Sequence, residues 1–531
     1  MDADRAALTR RAGLAAAAVV PAAFVALFFV VPFAAILGRG LREEGSLSLP
    51  VDVWLSSETL RIVWFTAWQA AVSTALTLVA GLPLAWAVGR YAFPGRGIVR
   101  ALVLVPFVLP TVVVATAFLA LLPDGLEQGL PAILAAHVYF NVAIVTLVVG
   151  SAWEGLGREP WEAAAALGAG PWRRLREVTL PLLAPALSAA AALTFLFCFT
   201  SFGVVLILGG PGRSTLETEI YLQAARAFDL RTAAALSLLQ LALVALALLV
   251  ISRIEASIGS ARTAAAPRDG LRRPSGRERA AVGIVLAVTG TILLLPLAML
   301  VVRSLDTGTT AWRRLFEETP ALLVTPWHAI VDSILFATVA AGLSVLVGGL
   351  AALVLARARP GALDALVLLP LGASAVMLGF GFLIAFDEPP LDFRASWWLV
   401  PVAQALVAAP FVVRIVAPAL RSIDPRLHDA AAVLGASPGR AWREIDLPLI
   451  ARAAGVAAGF AFAIALGEFG ATVFVARAEW PTLPVAIFRF LGRPGAENQS
   501  VAGALAVCLA ALTIVAALVL DRTAAGRRGP L

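Results

Sequence analysis

One carboxylate, Glu468, interrupts an apolar run in the stretch ALGEFGAT of this 531-residue chain. A charge at the centre of a membrane span is costly unless it faces a cavity or a partner. An internal repeat, set out below, aligns Ser201 of CFTSFGVV with Glu468, and Thr200 stands beside Ser201. An acid and two hydroxyls on related elements can line a polar path near a gate, where a carboxylate would favour a cationic solute. The same groups can instead hydrogen-bond inside a helix bundle, and the residues alone leave both readings open. His137, Tyr139 and Asn141, together in AHVYFNVAIV, are read as polar groups that tie helices to one another.

Other chemistry is scarce. The three histidines, His137, His328 and His428, are too scattered to suggest a metal site. Cys198 and Cys508 lie in apolar stretches without metal-ligand or CxxC spacing, where cysteine acts as a small hydrophobe. No paired acids and no nucleophile–base set stand out, which disfavours a membrane enzyme. All 41 basic residues are arginine. A Walker A loop needs a lysine to reach the phosphates, so ATP hydrolysis driving this chain is expected on another subunit, and no cofactor is expected here. The glycine runs GGPG (209–212) and LGFGF (378–382) read as turn and close-packing signals. Asp387, Glu388 and Asp392 read as solvated outer-face acids, with contact to an external protein as the alternative.

A second constellation is duplicated. EAAAALGAGPWRRLREVTLPL (162–182) returns as DAAAVLGASPGRAWREIDLPL (429–449), 267 residues later, with 12 identities over the first 20 positions. The alanines Ala163, Ala164, Ala430 and Ala431 favour a thin helix that another surface can approach. Gly168 and Gly435 permit a tight bend, and Pro171 and Pro438 suit the first turn of a second helix. Arg173, Arg176, Arg440 and Arg443, with Glu177 and Glu444, form its polar face. The leading acids, Glu162 and Asp429, are placed where a helix N-terminus favours negative charge. An amphipathic surface helix explains one such copy. Two copies in the same order point to a protein contact repeated about a pseudo-twofold axis.

The elements that carry these residues are membrane helices. The chain is 60% hydrophobic and 14% charged, with a mean hydropathy of +0.90, against about 25% charged residues in soluble domains. Twelve candidate spans follow, at about 15–38, 62–88, 99–122, 129–151, 183–207, 232–252, 281–302, 328–356, 363–386, 397–417, 450–475 and 500–520. They are too long for barrel strands, so an all-α polytopic fold is expected. The apolar N-terminal run exceeds a signal-peptide core and reads as a retained first span. Residues 1–252 and 281–531 form two tandem six-span halves, parallel about an axis normal to the membrane, and 253–280 reads as a flexible basic linker. With both termini and the even-to-odd loops inside, that side holds 28 arginines against 13 outside, as the positive-inside bias requires. Both duplicated segments then face the cytoplasm.

The EAA pattern with Gly168 and Leu180-Pro181, and its second copy, resembles the EAA loop of binding-protein-dependent, type I ABC importer permeases. The resemblance implies coupling loops, at 158–181 and 425–448, that dock on a cytoplasmic ABC ATPase dimer. It further implies ATP and Mg on that partner, an extracytoplasmic solute-binding protein, a small-molecule solute, and no nucleic acid. The fused two-half layout resembles the thiamine and ferric-iron permeases, and 136–145, 197–221 and 467–490 are most similar to the thiamine branch. The second copy departs from the first in Asp429 for Glu162 and Gly439 for Trp172, which implies unequal grips. A secondary transporter with duplicated halves is the class-different alternative.

Overall fold

The structure, a computed structural model, describes residues 15–43, 46–123, 125–157, 159–210, 212–258, 271–357 and 373–525. Its helices run, in chain order, α1 Ala15–Gly40, α2 Ser57–Arg90, α3 Arg96–Val108, α4 Thr111–Leu121 and α5 Leu130–Gly155. Next come α6 Glu159–Ala166, α7 Pro171–Phe199, α8 Gly203–Leu208, α9 Leu216–Leu222, α10 Leu230–Ile258 and α11 Arg277–Arg303. The remainder are α12 Pro326–Arg357, α13 Ala375–Ala385, α14 Leu399–Arg421, α15 Pro425–Val433, α16 Gly439–Gly467, α17 Thr472–Val475, α18 Leu483–Leu491 and α19 Ala496–Leu520. Between α1 and α2, Arg42–Glu43 pairs antiparallel with Ser46–Leu47. The all-α polytopic expectation holds.

Among the described residues, ten helices are long and apolar enough to cross a membrane. The pair α3–α4, bent by 99°, has the geometry of a broken span or a re-entrant loop, and the count reaches eleven when it is taken as one span. The expected span 99–122 is therefore broken, not straight. Leu109 is extended (φ −64°, ψ 140°) ahead of Pro110, because the proline ring clashes with a helical residue before it. The expected span 363–386 is described only from residue 373, where α13 occupies 375–385. Two further expected spans, 183–207 and 450–475, are interrupted. Helix α7 stops at Phe199 and α8 starts at Gly203, while α16 stops at Gly467 and α17 starts at Thr472.

The chain divides into two compact units, one built from 51–219 with 239–303 and the other from 1–50, 220–238 and 304–531. They do not coincide with the chain halves. Within the first unit, α11 packs on α4 and α2, and Tyr139 Oη donates to the Leu293 carbonyl at 3.1 Å. Within the second, α1 packs on α13, where a Cβ on Gly381 would come within 2.9 Å of Pro32. Each unit therefore takes its leading span from the other half of the sequence. The expected linker is also shorter than 253–280. Helix α10 continues through Ile258, α11 begins at Arg277, and 259–270 lie outside the described residues.

The tandem repeat is visible as repeated contacts. Gly81 of α2 lies against Val145 of α5, and Gly348 of α12 lies against Val412 of α14. In each unit a glycine lets two helices close to a distance that a Cβ would block. The Leu216 N–H donates to Thr66 Oγ1 at 3.1 Å, and the Leu483 N–H donates to Ser333 Oγ at 2.6 Å. The paired numbers all differ by 267. The related helices α5 and α14 are the most enclosed spans, with 67% and 78% of their apolar windows buried, whereas α11 is 17% buried. Alanines such as Ala351, Ala408 and Ala457 fill the contacts of α12, α14 and α16.

Candidate docking loops and candidate pathway

Each duplicated segment folds as a short helix, a left-handed glycine and a long second helix. In the first, α6 ends in a Schellman turn. The Ala169 N–H donates to the Ala164 carbonyl and the Gly168 N–H to Ala165, both at 3.0 Å, with Gly168 at φ +79°. In the second, the Ala436 N–H donates to Ala431 at 2.9 Å and the Gly435 N–H to Ala432 at 3.0 Å, with Gly435 at φ +75°. Only glycine adopts this conformation without strain, and it satisfies the last carbonyls of the helix. The bend pushes apolar side chains into the open. Leu167 is 88% exposed and Trp172 73%, while Val433 and Leu434 are 88% and 85% exposed.

The polar faces match. Arg173 Nε donates to Glu177 at 2.8 Å and Arg440 Nε to Glu444 at 2.9 Å. Glu162, Ala163, Asp429, Ala430, Arg176 and Arg443 are exposed; Ala164 and Ala431 are half-buried. Glu162 lies in the first turn of α6 as expected. Asp429 does not, because α15 already starts at Pro425 behind an Asp424 cap, whose Oδ1 accepts from the Arg426 N–H at 2.9 Å. Both long helices then open through a π-helical turn, at Leu175–Thr179 and Trp442–Asp446.

The roots of the loops differ. In the first unit the Trp161 ring is sandwiched between guanidiniums, Arg90 at 4.0 Å and Arg174 at 3.9 Å from its centroid. In the second, Asp446 is buried and ion-paired with Arg357, while His428 Nε2 lies 3.0 Å from its other oxygen. Arg90, Trp161 and Thr179 align by the repeat with Arg357, His428 and Asp446. None of these six was singled out from sequence for this role. The shared arginine at the end of α2 and α12 was the available signal.

The candidate pathway residues all lie at the two helix breaks. Thr200 Oγ1 donates to the Leu196 carbonyl at 2.8 Å. Ser201 Oγ lies 2.9 Å from His137 Nε2, and His137 Nδ1 lies 3.0 Å from Ser73 Oγ, so His137 links α2, α5 and the break. The Asn141 amide donates to the His137 carbonyl at 3.0 Å and to Cys198 Sγ at 3.4 Å. The Ser73–His137–Ser201 chain and the Asn141–Cys198 contact are the interhelical ties expected of span polar groups. In the other unit, Glu468 accepts from the Ala471 N–H at 2.7 Å and the Thr472 N–H at 3.0 Å. The carboxylate thereby satisfies the free N–H groups that open α17. Ser201 and Glu468 are buried, Thr200 half-buried.

Of the acids Asp387, Glu388 and Asp392, the first has an ion-pair partner, and the glycine runs pack or turn locally. Asp387 pairs with Arg394, and a Cβ on Gly379 would sit 2.7 Å from Ala471. Gly210 and Gly212 take positive φ in a turn. Among the described residues, no three His, Cys, Asp or Glu side chains converge as a metal site.

Residues 81–262 and 344–526 each match the family described as binding-protein-dependent transport system inner membrane component. The thiamine transport system permease protein of Brucella abortus (strain 2308) is 31% identical, covering 98% of both chains. That of Escherichia coli (strain K12) is 28% identical over 88% of this chain and 90% of its own. A putative 2-aminoethylphosphonate transport system permease protein of Salmonella paratyphi A is 30% identical over 47% of this chain and 96% of its own.

Proposed function

This chain belongs to the binding-protein-dependent family of inner membrane transport components, and from that premise we propose that it forms the membrane pathway of an ATP-driven thiamine importer. It is a multi-pass permease subunit, not an enzyme. The observation that carries the mechanical part is the pair of exposed loops, each with a left-handed glycine and apolar side chains at the bend. Both loops dock on a separate ATPase dimer that binds ATP and Mg. Glu162, Ala163, Ala164, Gly168, Arg173 and Arg176 serve one contact, and Asp429, Ala430, Ala431, Gly435, Arg440 and Arg443 the other. ATP binding draws the loops together and rocks the two compact units, each with its leading span taken from the other half of the chain, towards an outward-open state. A solute-binding protein then releases its cargo from outside. The arginine distribution supports loops and termini in the cytoplasm of a bacterial cell.

Thiamine is favoured over ferric iron by the full-length relatives named for thiamine transport. Helix breaks at repeat-related positions support a pathway role for Thr200, Ser201 and Glu468, since irregular backbone at membrane depth is tolerated where it lines a cavity or is buried in protein. Docking is tested by Gly168→Val with Gly435→Val. A β-branched residue at positive φ unmakes both bends, so ATPase co-purification is expected to disappear while the permease still inserts; retained co-purification refutes docking. For the substrate, thiamine-loaded binding protein is expected to stimulate hydrolysis by the purified complex. Stimulation by an iron-loaded one alone would reverse that assignment.

A further inference from the structure

Beneath the first loop, the first unit contains a cavity of about 380 Å³ lined by Arg90, Trp161, Arg174, Thr179 and Arg272, with Glu154 and Glu162. Its polar lining is mostly donors. Arg174 Nε and Trp161 Nε1 are buried and have no hydrogen-bond partner among the described residues, an arrangement that native interiors rarely leave unmet. Arg272 is held there by its backbone, which donates to the Arg90 carbonyl at 3.2 Å and accepts from the Ala92 N–H at 2.9 Å. Its side chain pairs with Glu278 at 2.8 Å. Glu154 is already neutralised by Arg96 at 2.8 Å and Arg100 at 3.3 Å, and Glu162 is exposed. Among the described residues no carboxylate forms an ion pair with Arg90 or Arg174, and Glu278, the acid that acts on Arg90 through space, is taken up by Arg272.

The repeat supplies the independent argument. In the second unit the arginine equivalent to Arg90 has an internal counter-ion, Asp446. The first unit has Thr179 at that register, and Thr179 lines the cavity. We propose that this cavity binds a phosphate group, which does for Arg90 and Arg174 what Asp446 does for Arg357. Guanidiniums match phosphate oxygens bidentately, and a tetrahedral anion has acceptors enough for both orphan donors. Arg90 ends a membrane span, and Leu182 on the cavity wall is 45% exposed. A lipid headgroup at the membrane surface and a free phosphate in solution both have access, and the inference does not depend on ATPase docking.

The test uses the full-length permease, stripped of lipid in a neutral detergent and titrated by calorimetry. The ligands are inorganic phosphate, dihexanoyl phosphatidylglycerol and acetate. One equivalent of a phosphate ligand is expected to bind. Arg174→Gln and Thr179→Asp are expected to weaken it about tenfold or more, the loss of one charged hydrogen bond, whereas the exposed Arg61→Gln is not. Saturation by the short-chain lipid without competition from phosphate assigns a headgroup site; competition assigns free phosphate. Thr179→Asp adds an internal pair, so it decides the matter even where Arg174→Gln fails to fold. No binding of either ligand, or unchanged binding in Thr179→Asp, overturns the proposal. So does acetate competing as well as phosphate, which would mark a seat for a protein carboxylate.

Discussion

Two loops with the same bend, the same surface ion pair and the same π-helical turn are rooted in different ways. The first root is a tryptophan between two arginines. The second is a buried aspartate between an arginine and a histidine. The duplicated geometry thus persists while the chemistry at its base has diverged. The consequence is physical. Stacking a guanidinium on an indole is worth about 0.5–2 kcal/mol and leaves little behind when removed. A buried ion pair contributes little net stability when intact but costs much when half of it is lost. The second loop is therefore the one that a single substitution can dislodge.

The sharpest break of that comparison is Arg357→Ala, which strands the Asp446 carboxylate. We expect about 3–5 kcal/mol of destabilisation, read from unfolding in mixed micelles. The double variant Arg357→Ala with Asp446→Thr, which copies the threonine of the first unit, should recover most of it; equal cost for single and double variants would contradict the buried-pair account. Trp161→Ala comes next, at about 1–3 kcal/mol, because two cation–π contacts go together. A cost matching that of Arg357→Ala would erase the proposed difference between roots. His428→Gln should cost about 1 kcal/mol, since Arg357 still neutralises the aspartate. Smallest are Arg173→Ala and Arg440→Ala, each within about 0.5 kcal/mol because both pairs are exposed. A clear inequality between those two would show that the loop surfaces, and not just their roots, have diverged.

Much of this was legible from residue order. The apolar runs placed most spans, and the duplicated segment placed both bends at Gly168 and Gly435 correctly. The helix breaks were not legible, because FCFTSFGVV and LGEFGATVF sit within longer apolar runs and hydropathy reports partitioning, not backbone geometry. The acid Glu468 was visible as an oddity. That its carboxylate caps α17 emerged only with the chain turned back on itself. Asp429 was placed in a first turn that in fact begins at Pro425, since the Asp424-Pro425 cap outranks the alignment in setting where the helix starts.

By itself the sequence determined a membrane-embedded, arginine-only, duplicated helical chain, because hydrophobicity, charge and local turn preferences act over a few residues at a time. Only the tertiary structure decided which helices share a unit, that the leading spans are exchanged between halves, and how Arg90 meets Trp161 while Arg357 meets Asp446. Those contacts join residues 71 and 89 positions apart. They exist because helix packing brings the end of one span beside the root of a loop, and no local preference encodes that meeting.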